Sequence, residues 1–157
     1  MANALSSNGM YYEDFEEGQR VISAGRTITE SDVMAFAGLS GDYNQLHTDQ
    51  EFAGRSPYGR RIAHGLLGPA AASGLAARMG LSEGTALALT KMDWKFRAPV
   101  YLGDTLKAEF TVIKKKMVRP EEGGFVKFKV KLSNQEGETV QEGGWTLLVR
   151  TRPQHGE

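Results

Sequence analysis

The chain of 157 residues contains no cysteine. That excludes disulfides, thiolate metal sites and a cysteine nucleophile. It also lacks an excess of either charge: Lys and Arg total 19, and so do Asp and Glu. No positive field gathers the phosphates of a nucleic acid, so a nucleic-acid partner is not expected. Long apolar runs are missing too. Nothing approaches the roughly 20 residues that a membrane-crossing helix needs, and no membrane partner is expected. The opening stretch, Met1 to Met10, has neither the basic start nor the apolar run of an export signal. The expectation is a soluble cytoplasmic protein.

What is present suits one globular domain. Hydrophobic residues make up 40% of the chain and charged residues 24%, ordinary values for a chain that folds. A domain of this length buries roughly two thirds of the surface of its unfolded chain. We divide it into a flexible leader (1–11), a domain (12–152) and a flexible tail (153–157) in which His155 is solvated.

Val21 to Thr29 has a strand-like composition. Thr29 then precedes Glu30-Ser31-Asp32, a capping-box pattern, and Val33, Phe36 and Ala37 recur at helical spacing, which predicts a short helix to about Leu39. Gly38, Ser40 and Gly41 end it and leave Asp42 to Asp49 on a loop or turn. From Leu66 to Leu81 the chain is almost uncharged and rich in Ala and Gly, with Pro69 in the first turn. A buried helix wrapped by sheet follows from that composition.

The second half changes period. Leu106, Ala108, Phe110 and Val112 alternate with polar residues, as do Val126, Phe128, Val130 and Leu132. These are half-buried antiparallel strands. Leu87–Phe96 supplies another, and the last carries Trp145, Leu147 and Val149. Turns fall at 120–124 and 134–137. The fold class is α+β: an antiparallel sheet of about five strands curled around one long central helix. Strands of this length leave edges and a second face uncovered, and pairing of two chains through the sheet is the natural remedy.

The densest polar cluster is Ser40 to Asp49, where Asp42 and His47 stand five residues apart across a glycine-led loop. A turn lets carboxylate and imidazole share one water molecule, the geometry of general acid–base catalysis. Further on, Gly65 sits at the N-terminal end of the buried helix, where unpaired N–H groups stabilise an oxyanion without an ionised side chain. The plainer alternative is that Asp42 and His47 cap a helix and bond to backbone.

The run Phe36 to Asp49, containing Gly41-Asp42-Tyr43-Asn44-Gln45-Leu46-His47, closely resembles the hydratase motif of the MaoC-like dehydratases and (R)-specific enoyl-CoA hydratases. Ala63-His64-Gly65-Leu66-Leu67 resembles that family's oxyanion segment, and Phe96 to Asp104 its strand-to-strand signature. The resemblance covers about residues 12 to 152.

It implies a hot-dog fold, homodimers or dimers of dimers, and reversible addition of water to a trans-2-enoyl-CoA or related thioester. Asp42 and His47 become the catalytic dyad, and the Gly65 N–H receives the thioester carbonyl. Asn44, which also orders the loop, His64 and Leu66 are assigned to substrate binding. No cofactor is implied beyond the coenzyme A of the substrate. Gln45 departs from the family's usual proline, a change expected to loosen the loop.

Other readings stay open at this point. His64 is either a second acid or a ring packed at the helix end. A metal site of His47, Asp49 and His64 lacks regular ligand spacing. Lys114-Lys115-Lys116 reads as a solvated strand end, or with Arg55, Arg60, Arg61 and Arg97 as a partner for coenzyme A phosphates. A hot-dog thioesterase, a non-catalytic acyl-thioester-binding protein and a structural subunit of a larger dehydratase are the competing functions. The thioesterase lacks its usual helix carboxylate, since no Asp or Glu occurs from Leu66 to Met79.

Overall fold

The structure, a computed structural model, describes residues 9–153. Residues 1–8 of the leader and 154–157 of the tail, with His155, lie outside the described residues. Gly9 to Tyr11 are held on the body: the Met10 N–H donates to the Gly80 carbonyl at 3.1 Å, and the Met10 side chain packs against the core.

After a 3-10 turn at Tyr12–Asp14, the described residues form four α-helices and six strands. They are β1 (Arg20–Ile22), β2 (Arg26–Thr27), α1 (Glu30–Ser40), α2 (Gln45–Thr48), α3 (Gln50–Arg55), α4 (Leu67–Arg78), β3 (Ala86–Phe96), β4 (Thr105–Arg119), β5 (Gly123–Ser133) and β6 (Thr139–Val149). The sheet is antiparallel, in the order β1-β4-β5-β6-β3, with β2 also paired to β4.

The expected alternation on β4 and β5 puts Leu106, Ala108, Phe110, Val112, Val126, Phe128, Val130 and Leu132 in the core. Register brings Phe110 opposite Val130 and Val112 opposite Phe128, so the inward residues meet across the strands. Against them lie Leu67, Ala71, Ala72, Leu75 and Ala76 of α4. This is the expected hot-dog arrangement of a sheet curled on a central helix.

Three expectations need correction. The strand foreseen over Val21 to Thr29 is broken in two. Ser23 is buried between the halves, and its Oγ accepts the Ala108 N–H at 2.9 Å, which substitutes for a ladder bond. The sheet does not enclose α4 on all sides, because Leu66 and Ala70 lie exposed. Small residues make a helix apolar whether or not a neighbour covers it. Lys115 is not simply solvated: its Nζ donates to the Phe15 carbonyl at 2.5 Å and stands 4.3 Å from the Tyr12 ring centroid.

Two details of the chain set up the site. Thr29 caps α1 in a reciprocal box with Asp32, and α1 ends on Gly41, whose φ of 76° is open to glycine at little cost. Gly68 lies so close to the Gln141 carboxamide that a Cβ there would meet Oε1 at 2.0 Å. A glycine in the first turn of α4 therefore lets Gln141 reach the backbone below it.

Candidate active site

The segment after Gly41 is more helical than a loop reading foresees. Asn44 caps α2, its Oδ1 accepting the Leu46 N–H at 2.9 Å, and Asp49 caps α3 by accepting the Phe52 N–H at 2.9 Å. Both are good N-cap residues, so two short helices form where the polar composition reads as turn. Gln45 occupies the first position of α2, where proline is favoured because no N–H is needed. Glutamine keeps the turn: the His47 N–H still reaches the Asn44 carbonyl at 2.9 Å, and the Asp49 N–H reaches that of Gln45 at 3.0 Å. Asp42 stays on the connecting loop while His47 rides on α2.

This places the two groups together. The His47 Nε2 and Asp42 Oδ2 are 4.0 Å apart, with the imidazole 12% exposed and the carboxylate 53%. The opposite ring nitrogen of His47 contacts the Ile62 carbonyl at 2.8 Å. A carbonyl only accepts, so Nδ1 carries a hydrogen and Nε2 is the ring atom turned toward Asp42. The Asp42 Oδ1 accepts the Asn44 N–H at 3.1 Å, and its backbone N–H donates to Ser40 Oγ at 3.2 Å. Arg61 braces the helix by donating from Nε to the His47 carbonyl at 2.6 Å while its two terminal nitrogens bind Glu30 at 2.8 and 2.9 Å.

Beside His47 opens a cavity of about 400 Å³, lined among others by Tyr58, Ile62, Gly65, Phe96, Val100 and Gln141. Gly65 lies in the turn that leads into α4, where the Leu67 N–H closes on the His64 carbonyl at 3.0 Å. The Gly65 N–H has no protein acceptor among the described residues. Its carbonyl accepts the Gln141 Nε2–H at 3.1 Å, and the Gln141 Oε1 accepts the Trp94 Nε1–H at 2.9 Å. A second cavity of about 260 Å³ lies further along α4, lined by Ser73, Ala76, Leu87, Phe110, Trp145 and other apolar side chains.

The residues assigned from sequence therefore separate. His47 and Gly65 both line the first cavity, and the Asp42 carboxylate lies 4.0 Å from His47. Asn44 spends its side-chain oxygen on α2. Leu66 is exposed at the start of α4, next to Gly65. His64 is buried, its Nε2 on the Asp42 carbonyl at 2.8 Å and its ring stacked on His47. Arg61 and Arg97 are paired with Glu30 and Glu142, and Arg60 lies over the Tyr101 ring at 3.9 Å. Phe96 and Gln141 escape a sequence reading as site residues. Gln141 lies 76 residues from the glycine it holds, and with Glu142 beside it in the strand nothing in the sequence sets it apart.

Ligand atoms of Asp42, His47 and His64 lie within 4.8 Å of one another. They fit a metal poorly. The rings of His47 and His64 stack at 3.9 Å with planes 30° apart, so their lone pairs do not converge, and His64 Nε2 and His47 Nδ1 are already donors. Asp49, a helix cap, faces Phe52.

A family model described as the MaoC like domain matches residues 14–134. The chain belongs to the MaoC-like domain family. It is 38% identical over 143 residues to an (R)-specific enoyl-CoA hydratase of Rhodospirillum rubrum, covering 90% of this chain and 93% of that one. A 3-hydroxybutyryl-CoA dehydratase of Methylorubrum extorquens is 38% identical over 104 residues, 66% of this chain and 64% of the relative. Among solved structures, the (R)-hydratase PhaJ1 of Pseudomonas aeruginosa superposes with a TM-score of 0.79 at 30% identity, covering 95% of this chain and 93% of that one. A Mycobacterium tuberculosis protein described as a double hot-dog fold shares the fold at a TM-score of 0.76 and 16% identity, over 98% of this chain and 48% of that one. MaoC-like hydratases and dehydratases are hydro-lyases, and this chain is an enzyme of that class.

Proposed function

We propose that this MaoC-like enzyme reversibly hydrates a trans-2-enoyl thioester of coenzyme A to the (R)-3-hydroxyacyl thioester. One observation carries the proposal: the His47 Nε2 and the Asp42 carboxylate face each other at 4.0 Å, and His47 and Gly65 line the same cavity. The hydratase and dehydratase names of the relatives support it.

The gap fits one water molecule. A water that donates both hydrogens at about 2.8 Å spans acceptors about 4 to 4.5 Å apart. Its oxygen lone pairs are then free to attack the β-carbon. One member of the dyad takes a proton from the water as its oxygen bonds to the β-carbon, and the dyad returns a proton to the α-carbon on the same face, so the elements of one water add across the double bond and the dyad ends as it began. Charge arriving on the thioester oxygen is met by the Gly65 N–H at the start of α4. Loss of one such donor typically costs about 3 to 4 kcal/mol. These steps are proton transfers and enolate stabilisation, so the proposal requires neither a metal nor a redox cofactor.

The acyl tail has room along α4. Ser73, at the second cavity, is about 12 Å from Gly65 along the helix at 1.5 Å per residue. A thioesterase reading finds no acidic residue on α4 to act as its carboxylate.

Incubation with a panel of trans-2-enoyl-CoA thioesters tests the function by loss of the conjugated double bond and by product chirality. An (R)-3-hydroxyacyl-CoA product supports it; release of free coenzyme A without hydration overturns it.

We further propose that the enzyme works as a homodimer, alone or as half of a dimer of dimers. β3 is an edge strand of 11 residues with exposed Leu87, Leu89, Met92 and Phe96. A long apolar edge of this kind is a liability unless covered. Light scattering of the eluting protein should give at least twice the chain mass; a monomer contradicts the proposal.

A further inference from the structure

His64 is 3% exposed, which removes it from contact with substrate. Its ring is fixed on several sides. The Nε2 meets the Asp42 carbonyl at 2.8 Å, and because that oxygen only accepts, Nε2 carries the hydrogen. One face of the ring stacks on His47 with centroids 3.9 Å apart, and Phe36 packs at 5.0 Å. The remaining nitrogen, Nδ1, is buried without a partner. A hydrogen there would be a buried donor with no acceptor, so the Nε2–H tautomer is the one this packing accommodates.

Packing alone does not account for this residue. A phenyl ring would fill the same space and stack on His47 without an orphaned nitrogen. What only the imidazole adds is the Nε2–H bond to Asp42. That bond ties the backbone of one dyad member to the ring that supports the other. His64 is also the residue before Gly65, so the same side chain links the dyad to the proposed oxyanion donor.

We propose that His64 is a positioning residue, which sets the separation of Asp42 and His47 by donating to the Asp42 carbonyl while stacking on the His47 ring. The inference rests on reading Asp42 and His47 as the catalytic pair. It replaces the assignment of His64 to substrate binding.

Two variants separate the parts of this role. His64→Phe keeps the stack and removes the donor. His64→Gln removes the ring but places an N–H donor near the Nε2 position. With folding checked by circular dichroism, His64→Phe should lower kcat by about 10- to 100-fold with KM unchanged, the scale on which misplacement of about 1 Å acts. His64→Gln should recover most of that loss. Wild-type kcat in folded His64→Phe, an effect on KM alone, or no recovery with Gln each overturns the proposal.

Nitrogen NMR of the histidines in the wild-type enzyme supplies a test that needs no variant. At neutral pH, His64 should be the Nε2–H tautomer and His47 the Nδ1–H tautomer. An Nδ1–H or doubly protonated His64 refutes the inference. An enzyme that hydrates no enoyl thioester would overturn the functional reading, while the tautomers would still decide whether His64 holds Asp42 as described.

Discussion

Gln141 reaches from β6 to the turn before α4 and donates its Nε2–H to the Gly65 carbonyl at 3.1 Å. Its other amide atom accepts the Trp94 indole N–H at 2.9 Å, so a strand, a neighbouring strand and the helix start are joined through one buried carboxamide. The Gly65 peptide is thus oriented by a side chain whose two amide atoms are both committed to protein partners.

Gln141→Ala should therefore act on both stability and turnover. It leaves the Trp94 N–H without its acceptor and the Gly65 carbonyl without one of its donors, and an unsatisfied buried polar group costs about 1 to 3 kcal/mol. Urea unfolding should show a loss of that order, and kcat should fall in the folded variant. Unchanged stability and kcat would contradict the positioning role of Gln141.

Asp32 gives the fold a pH-dependent element. Burial alone raises its pKa, but the backbone and side-chain hydrogen bonds from Thr29 and the neighbouring Arg26 together outweigh burial and lower it. A carboxylate with a folded pKa below its unfolded one stabilises the protein above the ordinary carboxylate range and loses that contribution as pH falls through the lowered value. Asp32→Asn should be less stable than wild type at neutral pH, and the gap should shrink on acidification. Thr29→Ala should cost about 1 kcal/mol through loss of the same cap. Thermal unfolding at two pH values checks both; a gap that widens in acid contradicts the first.

Chelation should leave hydration intact. Stacked rings with non-converging lone pairs make Asp42, His47 and His64 a poor cation site, and the proposed chemistry is proton transfer alone. Assay before and after dialysis against a strong chelator measures this. A loss restored by a divalent cation would contradict the account.

Much of this architecture was legible in the amino-acid order because local physics dictated it. The Thr29–Asp32 box starts α1, and the strict alternation of Leu106 to Val112 and of Val126 to Leu132 selects their inward faces. The site was legible where its residues lie close in sequence, as Asp42 and His47 do. It was not legible where the fold brings distant segments together. Nothing near Gln141 signals Gly65, and nothing near His64 says that its Nε2 meets the Asp42 backbone. Asn44 and Asp49 misled because residues that favour turns also cap helices. Arg61, one of several candidate phosphate binders by composition, spends its guanidinium on Glu30 and the His47 carbonyl.

The central claim is that Asp42 and His47 together activate one water molecule. Turnover of the best trans-2-enoyl-CoA substrate by Asp42→Asn tests it most directly, with substrate binding followed in parallel by calorimetry. The account predicts a folded protein that binds substrate with little change and loses at least about 100-fold in kcat, the scale of general acid–base catalysis. An Asp42→Asn enzyme that hydrates the substrate at the wild-type rate would contradict it.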